Sequence, residues 1–447
     1  VTNSHADGVT FADDFTAASL TNNTASSKMT FNAGDTYEIT GAAGLDLDGQ
    51  ASGTEIEILS DSAGTAFTFN VTGGPQGVDY LYVKDCEASG NDITASNSRD
   101  VSGTDAAESS PHWVFSAGIE RYWVGTDGGS WHDNANWSLT SGGAGGAGYP
   151  SASDTAVFDS SDTDDCTLTE AVFTAAIDIQ SGYTGKVDMS GHDITLSGTL
   201  DVTDGELETG AGTLNTVGAL TVDGGVLDAA QGIIDADGAV TCSAGILVAP
   251  DDNYIGEFYI AGDIDLTGGN LSTSNGTIYI DGTVSITMEG EEFDHFQIGT
   301  DSAGGSVTLL DEATFDNGFK FNNNGGATAL DISNVTVYYP DNNTWLDLRD
   351  CDSFTSTGST IVRSHSHDIR VYPAGYSFHN FTCSGNEWGS GTVQFIGSDF
   401  VCTGTLTIAD EAGFRAVGGN GDYDITVNAL VMTDSASFNE ELTAADQ

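Results

Sequence analysis

The stretch Asp347-Leu348-Arg349-Asp350-Cys351-Asp352 places three carboxylates and a guanidinium within six positions. Glycoside hydrolysis needs two carboxyl groups held a fixed distance apart, and lyase chemistry needs a base, often beside Ca²⁺ and an arginine. Read as a strand, the stretch sets Asp350 and Asp352 on one face together with Leu348. Among 67 acidic residues such pairs arise freely, so this one reads as surface acidity and no enzymatic activity is expected. A second stretch, Ser364-His365-Ser366-His367-Asp368, alternates two histidines that would point the same way, as ligands of a transition metal do. The flanking Arg363 and Arg370 oppose a cation there and read instead as counter-charges to local acidic ladders.

Hard-oxygen loops are the more natural ion sites. Asp159, Asp162, Asp164 and Asp165 crowd one short loop, and Asp251 and Asp252 precede Asn253 in another. Both suit Ca²⁺ in donor type, though neither follows the EF-hand spacing or the nonapeptide calcium-roll repeat, and a solvated acidic loop is the alternative. No cofactor beyond calcium is expected. The six cysteines (Cys86, Cys166, Cys242, Cys351, Cys383 and Cys402) form no CxxC pair, and no histidine stands at finger-like spacing, which argues against zinc. An even count permits disulfides, but the runs Val240-Thr241-Cys242 and Phe400-Val401-Cys402 favour buried small hydrophobes. Asn-x-Ser/Thr triplets begin at Asn22, Asn70, Asn136, Asn270, Asn275, Asn334, Asn342 and Asn380, a number that a Thr/Ser-rich chain yields by composition alone.

The elements that must position these groups belong to an unusual chain. Its 447 residues include 58 Gly, only 6 Pro and four Lys, with a formal net charge of −57. Hydrophobic residues still make up 38%, gathered in short Val/Ile/Leu/Phe runs, so the acidity reads as the skin of a folded protein rather than as disorder. Such a surface repels nucleic acid and anionic membranes and attracts divalent cations and basic patches. It suits salty surroundings, where screening limits self-repulsion. No run of 18 apolar residues occurs, so no membrane insertion is expected. The chain opens at Val1 without a basic segment and apolar core, which fits a removed signal peptide or a piece of something larger, and Glu440 to Gln447 look like an end of convenience.

Apolar residues alternate with Thr, Ser or Asp for four to six positions and then break at Gly, Asn or Asp, the pattern of short strands. A twenty-residue step emerges mid-chain. Gly198-Thr-Leu200-Asp-Val202 aligns with Gly218-Ala-Leu220-Thr-Val222 and with Gly238-Ala-Val240-Thr-Cys242; Leu207, Leu227 and Leu247 keep the same step. A four-residue insertion near Asp251 to Tyr254 shifts the frame. Beyond it Leu271 answers Leu247, and Gly262-Asp-Ile264-Asp-Leu266 aligns with Gly282-Thr-Val284-Ser-Ile286. Three apolar runs per repeat, near Leu200, Leu207 and Leu214, cannot shelter their inner faces alone; stacking coils strand over strand does so. The fold expected is therefore all-β, a right-handed parallel β-helix (β-solenoid) of about 20-residue, three-strand coils, its hand set by the crossover rule. Glycine at the corners would supply positive φ.

Upstream lies the strongest local motif, Arg121-Tyr-Trp123-Val-Gly125-Thr-Asp-Gly-Gly-Ser-Trp131-His-Asp-Asn-Ala-Asn136-Trp137-Ser138, followed by a Gly/Ala linker and Tyr149-Pro150-Ser-Ala-Ser-Asp154-Thr-Ala-Val-Phe158-Asp159. Trp123, Trp131 and Trp137 need burial and predict a cap over the open end of a solenoid; stacking on sugars is the alternative. This segment resembles a module of large secreted bacterial surface proteins and some phage structural proteins, where W-V-G-x-G-x-W-x4-N-W-S, a Gly/Ala run and P-x-x-x-D-x-A-x-F-D open a β-solenoid unit. Val78-Asp-Tyr80-Leu-Tyr82-Val-Lys84-Asp85-Cys86, with Asn97-Ser98 and Trp113-Val-Phe115, is similar to the segment that closes such units.

The resemblance implies 1–118 as the end of a preceding unit and 121–160 as the opening cap of the next, while the spacing itself gives 161–292 as regular coils and 293–447 as longer coils rich in aromatics and Asn. Within the last stretch, Phe319, Phe321, Tyr338, Tyr339 and Trp345 read either as core or as a binding surface. The function expected is that of a non-catalytic extracellular structural protein, a self-associating block of a cell-surface layer, sheath, filament or large adhesin. The alternatives are a phage virion appendage, and a polysaccharide-binding module or depolymerase using the 319–390 region, with glycans as partners.

Overall fold

The computed structural model describes residues 2–3, 8–50, 54–62, 64–100, 113–115, 118–229, 231–250, 256–273, 276–339, 346–364, 369–384, 392–417, 423–433 and 436–440. Strands dominate, and the only helical element among the described residues is a 3-10 turn at Asn134–Asn136. Strands one coil apart pair in parallel, which makes the architecture a parallel β-solenoid. No helix among the described residues is long and apolar enough to cross a membrane. The chain forms two compact units, 1–208 and 209–447.

The first unit opens with a stack whose longest ladder runs Val9–Phe11, Lys28–Phe31, Ile56–Ser60, Leu81–Lys84 and Arg99–Asp100. A second ladder contains Thr16–Ala17, Thr36–Ile39, Phe67–Val71 and Cys86–Ser89. Period-2 alternation decides which side chains enter: Phe67, Phe69 and Val71 are buried while Thr68 and Asn70 reach the surface. The interior is aromatic, with Phe31 stacked on Phe11 and Phe67 at 4.9 and 4.5 Å between ring centroids. A further ladder, Gln76–Asp79, Ile93–Ser96 and Trp113–Phe115, ends at the last of these strands, and new ladders start at Glu120–Trp123, Gly129–Ser130 and Val172–Thr174. In the new stack Ile177 pairs with Leu200, Val172 with Ile194, and Val187 with Leu207, one inward column per face.

The second unit continues this style and shows the twenty-residue step directly. Leu214 lies over Ile234, Leu220 over Val240, and Leu227 over Leu247. After the insertion Leu247 pairs with Leu271, as the repeat predicts, and all three leucines are buried. One alignment is corrected: Ile264 pairs with Ile286, not Val284. A slip of two residues keeps every side chain on its own face, so burial tolerates it where a slip of one would not. In the second unit Asn270–Ser272 is the last described strand of its ladder; beyond it, the long strand Ala313–Phe321 pairs with two successive strands of the next coil, and Phe400–Ala409 with two successive strands of the preceding one. Three-strand coils therefore describe the regular middle better than the longer-stranded coils beyond it.

Of the corner glycines, Gly205, Gly210, Gly224 and Gly268 adopt positive φ as expected, and another column does not. Gly238, Gly262 and Gly282, which precede the inward strands, do not adopt positive φ. A Cβ on Gly238 would lie 2.2 Å from the Gly218 carbonyl oxygen, and one on Gly262 would lie 2.3 Å from that of Gly238. Close approach of successive turns, rather than backbone handedness, demands glycine in this column.

Candidate functional site

The tryptophan module is built on a strand, Glu120–Trp123, that pairs parallel with Thr155–Phe158 and antiparallel with Trp137–Ser138. The antiparallel partner covers the outer edge of a ladder that otherwise runs parallel. Trp123, Trp131 and Trp137 are all fully buried. Trp137 meets Trp131 and Trp123 edge-on at 4.8 and 5.3 Å, and all three pack on Phe158. The Trp123 indole N–H donates to the Asp164 carbonyl at 3.0 Å, and that of Trp137 to the Trp131 carbonyl at 2.7 Å. These faces are spent on one another and are not available for stacking on an external sugar.

What positions the module is a buried ion pair. Arg121 Nε donates to Asp154 Oδ2 at 2.7 Å, and its terminal nitrogen donates to the carbonyls of Ala147 and Gly148. Asp154 also accepts from the Ile119 N–H at 3.0 Å and from the Ser151 N–H and hydroxyl. The two halves of the motif, separated by the Gly/Ala linker, are thus tied by charge-assisted bonds.

The acidic loop behind the module is used for turn geometry. Asp159 accepts from the Ser161 N–H at 2.8 Å and from the Ser161 hydroxyl, Asp162 accepts from the Asp164 N–H, and Asp165 accepts from the Lys186 N–H. Burial works to raise the Asp159 carboxyl, but bonds from Ser161 and Ser141 outweigh it and hold the group below the ordinary value. Asp162 is pushed up, by burial first and then by the charges of Asp164 and Asp159. Among the described residues no group of three or more His, Cys, Asp or Glu is placed to share a metal ion. Asp251 and Asp252 lie outside the described residues, as do His365, His367 and Trp345.

The other stretches are redistributed by the fold. Asp347 closes a two-residue strand, and Leu348 to Asp352 form a turn in which the Cys351 N–H donates to the Leu348 carbonyl at 3.1 Å. Leu348 and Cys351 take the inward positions, so the expected strand face shared by Asp350 and Asp352 does not form. Asp347 accepts from Arg349 Nε and Nη2 through its two carboxylate oxygens, and Asp352 accepts from the Thr328 N–H at 2.9 Å. Arg363 is not a surface counter-charge: it is 4% exposed, donates to the Tyr339 carbonyl at 3.0 Å and pairs with Cys383 in an inward column. Phe319, Phe321 and Tyr339 are buried, which leaves Tyr338 as the described outward ring of the proposed binding surface. All six cysteines are buried and none is in a disulfide, the role expected of small hydrophobes. Asn22 is buried with both side-chain amide atoms bonded, whereas Asn270 and Asn334 are exposed.

Sequence reasoning missed one feature. Where the first stack meets the tryptophan module, a small recess of about 10 Å³ is lined by Tyr82 and Lys84 from one side and by Trp131, His132, Tyr149 and Glu170 among others from the other. Tyr149 meets His132 at 5.2 Å and Tyr82 at 6.2 Å, both near perpendicular. Lys84 Nζ lies 3.7 Å from Glu170 Oε2. Burial holds the His132 imidazole below the ordinary histidine value, with the Glu170 carboxylate opposing. No spacing in the sequence signals this recess, because its residues come from four separated segments. No protein-family model, curated protein or solved structure matches the chain.

Proposed function

We propose that this chain is a structural module of an extracellular surface assembly, a self-associating solenoid to which no reaction is assigned. The supporting observation is that the stacked ladders present repetitive outward rows between inward apolar columns. One such row runs Thr221, Thr241, Asp265 and Thr287. Repetition of this kind yields long flanks suited to lateral or end-on association of identical copies. The candidate catalytic stretch supports the same reading, since Asp347 and Asp352 are engaged by Arg349 and by the backbone. A net charge of −57 opposes association, so assembly should require salt or divalent cations to screen or bridge it. Light scattering and electron microscopy over a series of protein, salt and Ca²⁺ concentrations test the proposal. Ordered multimers that grow with ionic strength or Ca²⁺ are expected; a monomer under every condition overturns it. Assembly and melting temperature that ignore a chelator would exclude calcium bridging while leaving the structural role in place.

A further inference from the structure

We infer that one outward sheet face of the second unit, acidic over its early strands and basic over its later ones, is where a second copy of the chain docks, acidic half on basic half. Docking of this kind rests on the self-association proposed above and gives it a surface and an orientation. One outward row of the ladder runs Asn215, Asp235, Tyr259, Tyr279, Gln297 and Lys320. Its early strands, Thr213–Thr216, Ile233–Ala236, Glu257–Ile260 and Thr277–Ile280, carry no lysine or arginine. They present Asp235 and Glu257, with Asp237 and Asp281 just beyond strand ends, and all four reach the surface. Repulsion operates within this half: the charges of Asp237 and Asp281 add to burial in making Asp235 hold its proton. A facing cation would relieve it.

The later strands reverse the sign. Beyond Lys320 the ladder continues through Leu346–Asp347 and Ile369–Tyr372. Arg370 then pairs with Gln394, and Gln394 with Arg415. Alternation turns Arg370 and Tyr372 outward on either side of the buried Val371. Arg349, in the turn after Asp347, bonds that carboxylate and lays its guanidinium 4.0 Å from the centre of the Tyr372 ring, with its side chain 57% exposed. Lys320 and Arg370 are exposed and Arg415 is half-buried. Four of the ten basic residues in a chain with 67 acidic ones thus gather on one face. At about 4.8 Å per strand the two halves together span roughly 40 Å. A two-fold axis across this face lays the acidic half of each copy on the basic half of the other, so one patch serves both partners. Copies docked in the same direction would set like charges together, which selects the two-fold arrangement. Salt near 0.15 M, with a Debye length of about 8 Å, screens the long-range repulsion of the acidic chain more than it screens contacts within the face.

The test is sedimentation velocity at the lowest salt concentration that assembles the parent chain. Lys320→Glu with Arg370→Glu turns the basic half acidic, and Asp235→Lys with Asp237→Lys turns the acidic half basic. Each double variant alone should associate at least tenfold more weakly than the parent. An equimolar mixture of the two should recover association, because every half then meets its opposite. Melting curves like the parent's would establish that both variants fold; if one melts early, Lys320→Gln with Arg370→Gln or Asp235→Asn with Asp237→Asn replaces it, with weakened association again expected. Variants that assemble as the parent does overturn the docking face and leave self-association standing. A mixture as weak as either variant alone also overturns the face, whereas a parent that is monomeric under every condition overturns self-association with it. A monomeric parent that binds an added acidic polysaccharide through Lys320 and Arg370 would likewise overturn it, the basic half then belonging to that ligand.

Discussion

Arg121 and Asp154 stand 33 positions apart in the chain, yet their side chains meet at 2.7 Å and are only 9% and 5% exposed. The contact closes the tryptophan module, because Arg121 lies on its first strand and Asp154 immediately before the strand that pairs with it. A buried pair is not strong evidence of net stabilisation, but breaking one strands a charge. Asp154→Ala should therefore cost about 3–5 kcal/mol in urea unfolding followed by tryptophan fluorescence, and Arg121→Met with Asp154→Leu should recover much of it. A single-variant cost under about 1 kcal/mol would mean that water, not Asp154, satisfies the guanidinium.

Leu247 sits between Leu227 and Leu271 in one inward column, and truncating it opens a cavity with apolar walls above and below. Leu247→Ala should cost about 2–5 kcal/mol. Because column neighbours share that cavity, Leu227→Ala combined with Leu247→Ala should depart from additivity by more than about 0.5 kcal/mol. Strict additivity in equilibrium unfolding would contradict the contact.

This column was legible because three nearly identical coils repeat one step, so that Leu227 and Leu247 announce each other. Legibility fails where coils change length. The pairing of Ile264 with Ile286 leaves no trace in the glycine spacing, since a two-residue slip preserves the inside-outside pattern on which the reading relies. Arg363 misled for another reason. Its charge suggests the surface, but the Tyr339 carbonyl and a ring 5.7 Å from the guanidinium give it an inward site that no local pattern encodes. The tryptophans declared a buried cluster by type alone. Tyr82 and Tyr149 declared nothing, because their meeting depends on how one stack ends and the next begins.

Glycine at the corners can be tested against glycine elsewhere. Gly238 has the Gly218 carbonyl oxygen 2.2 Å from where a Cβ would stand, whereas nothing lies within 4 Å of the same point on Gly77. Gly238→Ala should force successive turns apart and destabilise by more than about 1 kcal/mol. Gly77→Ala, with no positive φ to violate, should be neutral or stabilising by about 0.4–1 kcal/mol through the unfolded chain. Equal melting temperatures for the two variants would remove the close-approach account of the glycine column.

All six cysteines are buried outside any disulfide, and burial drives Cys351 up to about 11, with Cys166 and Cys383 also raised. A thiolate is the reactive form. Iodoacetamide at about pH 8 should therefore modify none of these three in the folded chain and all of them in denaturant. Mass-spectrometric detection of alkylated Cys351 without denaturant would show that its coil opens.

The acidic surface should give an unusual pH response. Asp235 is raised above the ordinary value of 3.8, by burial first and then by the charges of Asp237 and Asp281, and Asp281 is raised by burial with Asp237 adding to it. Each carboxyl holds its proton more tightly in the folded chain than in the unfolded one. Stability contributed by these two groups therefore falls as pH rises from the ordinary value through the raised one, and stays lower above it. Asp265 is the opposite case: bonds from the Thr267 hydroxyl and N–H lower it, so its contribution is present above the ordinary value and is lost as pH falls through the lowered one. Asp235→Asn should melt higher than the parent at about pH 7, with the gain closing as pH drops toward the ordinary value, whereas Asp265→Asn should melt lower. Added salt should shrink the part of the Asp235→Asn gain that comes from Asp237 and Asp281, since screening weakens repulsion between exposed carboxylates. An Asp235→Asn variant that melts below the parent at neutral pH would place the origin of this acidity elsewhere.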